Sequence, residues 1–172
     1  MIKIRVIPLG NIPEEILTEV TENLRETFDV MTESTLPVGI PKEFYNALHH
    51  QYHAPDVLKF LAERFPGKNF GITDQDIYAE NLNFVFGQAQ MKGNVALVSA
   101  YRLNPDFYRK VSDKQLLTER IVKESIHEVG HMLGLKHCLV EKCVMSFSNT
   151  IVDVDRKNKE LCGSCKRELG LY

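Results

Sequence analysis

Hydrophobic positions in the first part of the chain repeat with two different periods. Apolar residues alternate with charged ones over residues 2–8, which predicts a β-strand. Residues 13–28 carry apolar side chains at four-residue spacing behind a proline that suits a first helical turn, so they predict an amphipathic helix. The loosely alternating stretch 29–38 predicts a second strand, which Pro37 closes.

The middle of the chain has a less regular pattern. Residues 43–65 show helical spacing that Pro55 interrupts. Residues 69–78 predict a strand followed by a turn or a short helix. Two β-rich runs within residues 82–103 surround the turn sequence at 92–94, which predicts a hairpin.

A long helix is predicted in the last third of the chain. Ser112 and Gln115 fit a capping box, so the helix is expected to begin near Asp113. Gly134 is its natural end. Its predicted buried stripe consists of Val122, Ile126, Val129 and Leu133. A short helix is expected near the C-terminus, and the order of elements predicts an α+β fold on a small mixed sheet.

Composition limits the classes of function. The 172 residues suggest one domain. A net charge of −2 gives no excess of positive charge that would attract nucleic acid or an anionic membrane. No apolar run approaches the roughly 20 residues that cross a bilayer. The first residues alternate as a strand does, unlike a signal peptide, so we expect a soluble, cytoplasmic protein without an export signal.

The candidate chemistry begins with the sequence HEVGHMLGLKHC, residues 127–138. His127 and His131 are one helical turn apart, so both rings leave the same face of the predicted long helix. Two imidazoles at this spacing can share a zinc ion at about 2.0–2.1 Å. A catalytic zinc site requires a third protein ligand and keeps one open position.

His137 is the candidate third ligand. On a continued helix it would lie roughly 9 Å further along the axis than His131, too far to share the metal. Gly134 can adopt a positive φ and reverse the chain, which would bring His137 back to the other two rings.

Glu128 points about 100° away from His127, where a carboxylate can take a proton from water on the metal. This combination predicts hydrolysis of peptide bonds.

All four cysteines lie near the end of the chain, and in a reduced compartment such a cluster is more often a metal site than a disulfide framework. Neighbours in an extended segment point opposite ways, so His137 and Cys138 are expected to face different sites. Cys138, Cys143, Cys162 and Cys165 can form a closed four-thiolate zinc site. The alternative is a redox CxxC pair with two bystander cysteines.

The motifs resemble those of a known family. HEVGHMLGLKH matches the metzincin zinc-peptidase signature HExxHxxGxxH, and Met145 stands where a methionine-bearing turn would follow. GLKHCLVEKCVM followed by CGSC is similar to the archaemetzincins, in which a cysteine directly follows the third histidine. This resemblance covers residues 127–165.

The resemblance implies a small twisted mixed sheet with long helices and an active-site helix followed by a zinc-stabilised C-terminal subdomain. We therefore divide one compact domain into a catalytic part, residues 1–137, and a C-terminal part, residues 138–172. Residues 94–103 are the candidate for the edge strand that would pair with a peptide substrate, with an ordinary sheet strand as the alternative. Met145 would form a hydrophobic floor under the metal, with an ordinary core methionine as the alternative.

The resemblance also implies the roles of the site residues. His127, His131 and His137 would bind a catalytic zinc, the four cysteines a structural zinc, and Glu128 would be the general base. The expected function is a zinc-dependent peptidase that acts on peptides or proteins. The alternatives are a catalytically inactive protein that retains the site for binding peptides or ligands, and a zinc-built interaction module.

Three further features of the sequence bear on the chemistry of the site. No tyrosine near Met145 is available to stabilise an oxyanion. The cluster of His49, His50 and His53 could bind a metal, but a solvated turn is the simpler interpretation. An aminopeptidase would require an acidic group for the substrate amine. The candidates for that group are Glu33, Asp74, Asp76 and Glu80.

Overall fold

The computed structural model describes residues 1–172 and contains eight strands and five α-helices. The strands are β1 (Lys3–Leu9), β2 (Met31–Ser34), β3 (Tyr45–Asn46), β4 (Gln51–His53), β5 (Lys68–Thr73), β6 (Ile77–Tyr78), β7 (Gly87–Ala89) and β8 (Val95–Ser99). The helices are α1 (Glu14–Phe28), α2 (Ala54–Arg64), α3 (Lys114–Leu133), α4 (Ile151–Arg156) and α5 (Gly163–Glu168). None of the helices combines the length and the apolar character that crossing a bilayer requires.

A five-stranded sheet in the order β2-β1-β5-β8-β7 forms the centre of the molecule. Its strands run parallel except β7, which is antiparallel to β8. Alternate residues of each strand face opposite sides of the sheet, and the structure uses both sides. Ala96 and Val98 of β8 join the core beneath α1 and α3, whereas Val95 and Leu97 join the core beneath α2. A small sheet in the order β3-β4-β6 completes the α+β fold.

Strand β1, helix α1 and the hairpin of β7 and β8 agree with the prediction from the sequence. Strand β1 and helix α1 lie within one or two residues of the predicted bounds, because their apolar periods match burial in the core. The hairpin around residues 92–94 is also present, as the antiparallel pair of β7 and β8.

The predicted helical character of residues 43–53 is wrong. These residues form a single 3₁₀ turn at Lys42–Phe44 and then the short strands β3 and β4. Helix α2 begins only at Ala54, and Pro55 lies in its first turn. Proline lacks an N–H that the first turn would leave unbonded in any case, so Pro55 starts this helix and does not interrupt one.

Of the two interpretations of residues 94–103, the edge strand is wrong and the ordinary sheet strand is correct. Strand β8, within residues 94–103, lies inside the sheet between β5 and β7, and all five of its residues are buried. The edge next to it is β7, because the hairpin folds residues 87–89 onto the outside of β8. A continuous apolar run is typical of a strand covered on both faces, and this pattern in β8 indicated an interior position.

Helix α3 spans Lys114–Leu133, close to the prediction, but its cap differs. The Asp113 side chain caps the helix, because its carboxylate accepts a hydrogen bond from Leu116 N at 3.0 Å. The Ser112 hydroxyl instead donates to Asp106 at 2.7 Å. Both residues can cap a helix, and the contact with Asp106 engages the serine elsewhere.

The C-terminal residues 138–172 pack against the end of α3. Their buried apolar members belong to the same core as α1 and α3 and comprise Cys143, Val144, Met145, Val154, Leu161 and Cys165. Helix α4 is joined to α3 by the paired hydrogen bonds of Arg120 to Asp155, at 2.8 and 2.7 Å. This segment therefore packs against α3, the helix that carries HEVGH.

Candidate functional site

Three imidazole rings meet at the C-terminal end of α3. Ligand-capable nitrogens of His127, His131 and His137 all lie within 4.8 Å of one another. Gly134 makes this possible, because its φ of 113° ends the helix in a left-handed turn. The turn is closed by a hydrogen bond of 2.9 Å from Leu135 N to Gly130 O. The chain then reverses and returns His137 to the other two rings.

Backbone carbonyls fix the orientation of the two helical imidazoles. His127 Nδ1 donates to Val144 O at 2.8 Å, and His131 Nδ1 donates to Leu135 O at 2.7 Å. A carbonyl oxygen can only accept, so each Nδ1 carries the hydrogen and each Nε2 keeps a lone pair. The two Nε2 atoms are 3.1 Å apart. Two nitrogens of a tetrahedral zinc site are separated by roughly 3.3 Å, so the donor set fits this metal.

The surroundings of the rings favour neutral imidazoles. Burial lowers the pKa of His127 well below its ordinary value, and the Lys157 ammonium lowers it further. Burial also lowers the pKa of His131 and of His137. A neutral imidazole is the form that binds a metal, so these shifts favour ligation near neutral pH.

Glu128 is buried beside the rings, next to the edge strand β7. Burial raises the pKa of this carboxyl well above its usual range, Glu124 adds to the increase, and Lys157 opposes it. A Cβ placed on Gly87 of β7 would lie 2.7 Å from Glu128 Cγ and 3.0 Å from its Oε1. The absence of a side chain at Gly87 therefore creates the space that Glu128 occupies.

The rings and Glu128 line a cleft of about 960 Å³. Residues 81–89, which lead into and include β7, line this cleft together with residues 147–149. Several aromatic and aliphatic side chains line it, namely Leu82, Phe84, Val85, Phe86, Met91 and Phe147. Glu124 and Glu128 are the only carboxylates among its lining residues.

The four acidic residues considered for binding a substrate amine lie outside this cleft. Glu33 pairs with Lys3 at 2.7 Å, and Asp76 pairs with Arg102 at 2.8 Å. Glu80 lies 3.1 Å from His53, and Asp74 lies beside Gly10. Of the separate histidine cluster, His49 and His50 are exposed, while His53 lies between Asp56 and Glu80.

Met145 packs against α3 next to one of its histidines. Its side chain is buried, and a Cβ placed on Gly130 would lie 2.5 Å from the Met145 sulfur. Gly130 immediately precedes His131, so the thioether packs directly against the backbone of α3. Met145 O also accepts a hydrogen bond of 2.9 Å from Cys138 N, which ties this methionine to the cysteine segment.

The four cysteines form a second cluster next to the first. Their sulfur atoms all lie within 4.8 Å of one another. The Cys138 and Cys162 sulfurs are 3.7 Å apart, and those of Cys143 and Cys165 are 3.8 Å apart. A tetrahedral zinc with bonds of about 2.3 Å places its sulfurs roughly 3.8 Å apart, so this donor set also fits zinc.

One thiol of this cluster is already easy to ionise. A backbone hydrogen bond from Cys165 lowers the pKa of Cys162 to about 7. Burial raises the pKa of the Cys143 thiol. Thiolates bind metals and thiols do not, so a divalent cation at the centre would complete the ionisation of this cluster.

Sequence reasoning missed three residues of the site. The sequence could have indicated Glu124, because it lies one helical turn before Glu128 and shares its face of the helix. Gly87 and Lys157 had none, because their partners on α3 are far away in the chain. Only the fold brings β7 and the end of α4 against this helix.

Comparisons with known proteins agree with the geometry. Residues 3–170 match peptidase family M54. The chain is 42% identical over its whole length to the archaemetzincin of Methanocaldococcus jannaschii, covering 97% of that protein. It matches the crystal structure of archaemetzincin from Archaeoglobus fulgidus complexed with malonate at 36% identity, with a TM-score of 0.84 and coverage of 97% and 99%. A zinc-dependent peptidase from Methanocorpusculum labreanum matches at 30% identity, with a TM-score of 0.87 and coverage of 97% and 100%. The chain is thus similar to metallopeptidases throughout its length, and it belongs to peptidase family M54, among the archaemetzincins.

Proposed function

We propose that this protein hydrolyses peptide bonds at a zinc ion held by His127, His131 and His137. The observation that carries the proposal is the convergence of three imidazoles in a cleft that Glu128 also lines. A zinc ion at this position supplies Lewis acidity, which lowers the pKa of water and polarises a carbonyl group. Three protein ligands leave one tetrahedral position for this chemistry.

Glu128 is the general base of the proposed reaction. Its carboxylate accepts a proton from the attacking water and then transfers that proton to the leaving amine. Burial raises the pKa of Glu128, which makes its carboxylate a stronger base towards the proton of a water molecule.

The substrate binds along β7. This strand has one neighbour in the sheet, β8, so its other edge presents unpaired backbone groups. An extended peptide can add to that edge as a further strand and so lie next to Glu128, which packs against Gly87 of β7. The apolar lining of the cleft favours peptides with bulky apolar side chains around the cleaved bond.

We infer internal cleavage and not removal of N-terminal residues. An aminopeptidase holds the substrate ammonium with an acidic group. The two carboxylates of the cleft are Glu128, which acts as the base, and Glu124, which pairs with Lys157 at 2.8 Å. Neither is available to bind an amine.

A second zinc is bound by Cys138, Cys143, Cys162 and Cys165. The matching separations of the sulfur pairs support this assignment. Cys138 directly follows the third histidine, and Cys143 is two residues before Met145. The second zinc therefore fixes the segment that carries His137 and the floor of the site.

Peptide cleavage by the purified zinc-loaded protein tests this function. A mixture of unstructured peptides is incubated with wild type, with chelator-treated protein and with Glu128→Gln, and zinc content is measured for each. We expect cleavage by wild type only, with Glu128→Gln retaining both zinc ions. Binding of peptides without cleavage by zinc-loaded wild type would instead identify a non-catalytic binding protein.

A further inference from the structure

A buried ion pair lies behind the histidine site and has no part in the proposed mechanism. The side chain of Lys157 is 1% exposed and that of Glu124 is 4% exposed, with Nζ and Oε1 2.8 Å apart. Removing two charges from water is costly, and apolar pairs of similar volume are often equally stable. Stability alone therefore gives little reason for a charged pair at this position.

Lys157 contacts the first histidine from the side opposite its metal-facing nitrogen. Its Nζ lies 3.4 Å from His127 Nδ1 and 3.5 Å from Ser146 O. An ammonium group has donors only, so it cannot accept the Nδ1 hydrogen, which goes to Val144 O at 2.8 Å. The lysine thus lies beside both the imidazole and the backbone segment 144–146 to which the imidazole is bonded.

Glu124 holds the lysine from the helix side. It is three residues before His127 and four before Glu128, so it shares their face of α3. Its partner Lys157 directly follows α4, so the pair connects the site helix to the C-terminal segment. The connection is made at the level of the His127 ring.

We propose that Lys157, held by Glu124, is a positioning residue for His127. The pair fixes the distance between α3 and segment 144–146, and so keeps Val144 O where it orients the imidazole. This inference rests on the proposed zinc site at the histidines, and it does not require that the protein be a peptidase. Groups that orient metal-binding histidines in this way usually affect affinity or activity 10- to 100-fold, which sets the expected size of the effect at roughly that range.

The test compares single and double substitutions in protein that carries zinc at the cysteine site. Lys157→Met removes the cation, and Glu124→Leu/Lys157→Met removes both charges, so that neither is left buried alone. Lys123→Met is the matched control, because Lys123 also links α3 to α4, through Val154 O at 3.1 Å, but does not contact the rings. Zinc affinity at the histidine site, the visible spectrum of cobalt placed there, and thermal unfolding are measured for each protein.

We expect the double variant to unfold near the wild-type temperature but to bind zinc at the histidine site about 10- to 100-fold more weakly, with shifted cobalt bands. Lys123→Met should keep wild-type affinity and bands. A folded double variant with wild-type affinity and an unchanged spectrum would show that the pair is only structural. A double variant that fails to fold would overturn the proposal equally, since the pair would then be required for folding itself. Failure of wild type to bind metal at the histidines would remove the proposed zinc site instead.

Discussion

Gly87 in the edge strand β7 lies directly against Glu128 of helix α3. A Cβ placed on Gly87 would lie 2.7 Å from Glu128 Cγ and 2.6 Å from Leu97 O. These separations are shorter than ordinary van der Waals contacts of a carbon atom. Leu97 O belongs to the backbone of the neighbouring strand β8, so it cannot move aside freely. The proposed base and the proposed substrate-binding strand are therefore in contact only because residue 87 has no side chain.

The substitution Gly87→Ala is expected to lower kcat/KM at least 10-fold, because the new methyl group displaces Glu128 or β7. Overpacking of this kind also costs about 1–3 kcal/mol in the free energy of unfolding. Steady-state kinetics and urea unfolding measure the two effects. Gly39→Ala is the control, since its Cβ would meet no atom within 4 Å and should leave both quantities unchanged. Wild-type kinetics in Gly87→Ala would contradict the assigned contact.

The substitution Cys162→Ser is expected to reduce zinc at both sites. Loss of one thiolate weakens the cysteine site, and Cys138 and Cys143 then no longer fix the segment that carries His137 and Met145. Elemental analysis after dialysis, with peptide cleavage, measures the result. Ser164→Ala in the same turn should retain two zinc ions. A Cys162→Ser protein with one fully occupied and active histidine site would refute this coupling.

The substitution Gly134→Ala is expected to weaken zinc binding by the histidines. Its φ of 113° is strained for any residue with a Cβ, so alanine should shift the turn that returns His137. Gly170→Ala is a matched control for strain, because its φ is 72° and it lies near the C-terminus. Both variants should lose about 1 kcal/mol or more of stability. Equal zinc affinities in the two variants would argue against a role of Gly134 in assembling the site.

Metal-free protein is expected to lose stability on mild acidification. Burial holds the pKa of His127 well below 6.5, so below that pH the unfolded chain binds more protons than the folded chain. His127, and with it His131 and His137, therefore lowers the free energy of unfolding as the pH decreases through about 6.5, by at most about 1.4 kcal/mol per pH unit from each residue, whereas Glu128 with its raised pKa acts in the opposite direction. Urea unfolding at a series of pH values measures the slope. The slope should be smaller in His127→Gln, and equal slopes in both proteins would exclude His127 as its source.

Blocking the substrate amine is expected to have little effect on cleavage. The cleft has no free carboxylate for an ammonium group, so an N-acetylated peptide should be cut at the same internal bond as its free form. Mass spectrometry of the products gives the bond, and initial rates give kcat/KM, which should agree within about threefold. A strict requirement for the free amine would show that the protein removes N-terminal residues.

Local sequence determined the parts of the protein that depend on neighbours in the chain. The bounds of α1 and α3 follow from their apolar periods, and the end of α3 follows from Gly134. The grouping of His127, His131 and His137 was also predictable, because eleven consecutive residues contain the ligands, the helix turn and the reversal. Within so short a segment, backbone geometry leaves few alternatives.

Tertiary structure alone decided which strand forms the edge of the sheet and which residues support the site. The sequence left open whether β8 lies at the edge or inside, because sheet order depends on packing between distant segments. Gly87 and Lys157 meet α3 from positions roughly 40 residues before and 30 residues after Glu128. Such contacts arise from burial and charge pairing across the fold, and no local pattern in the sequence encodes them.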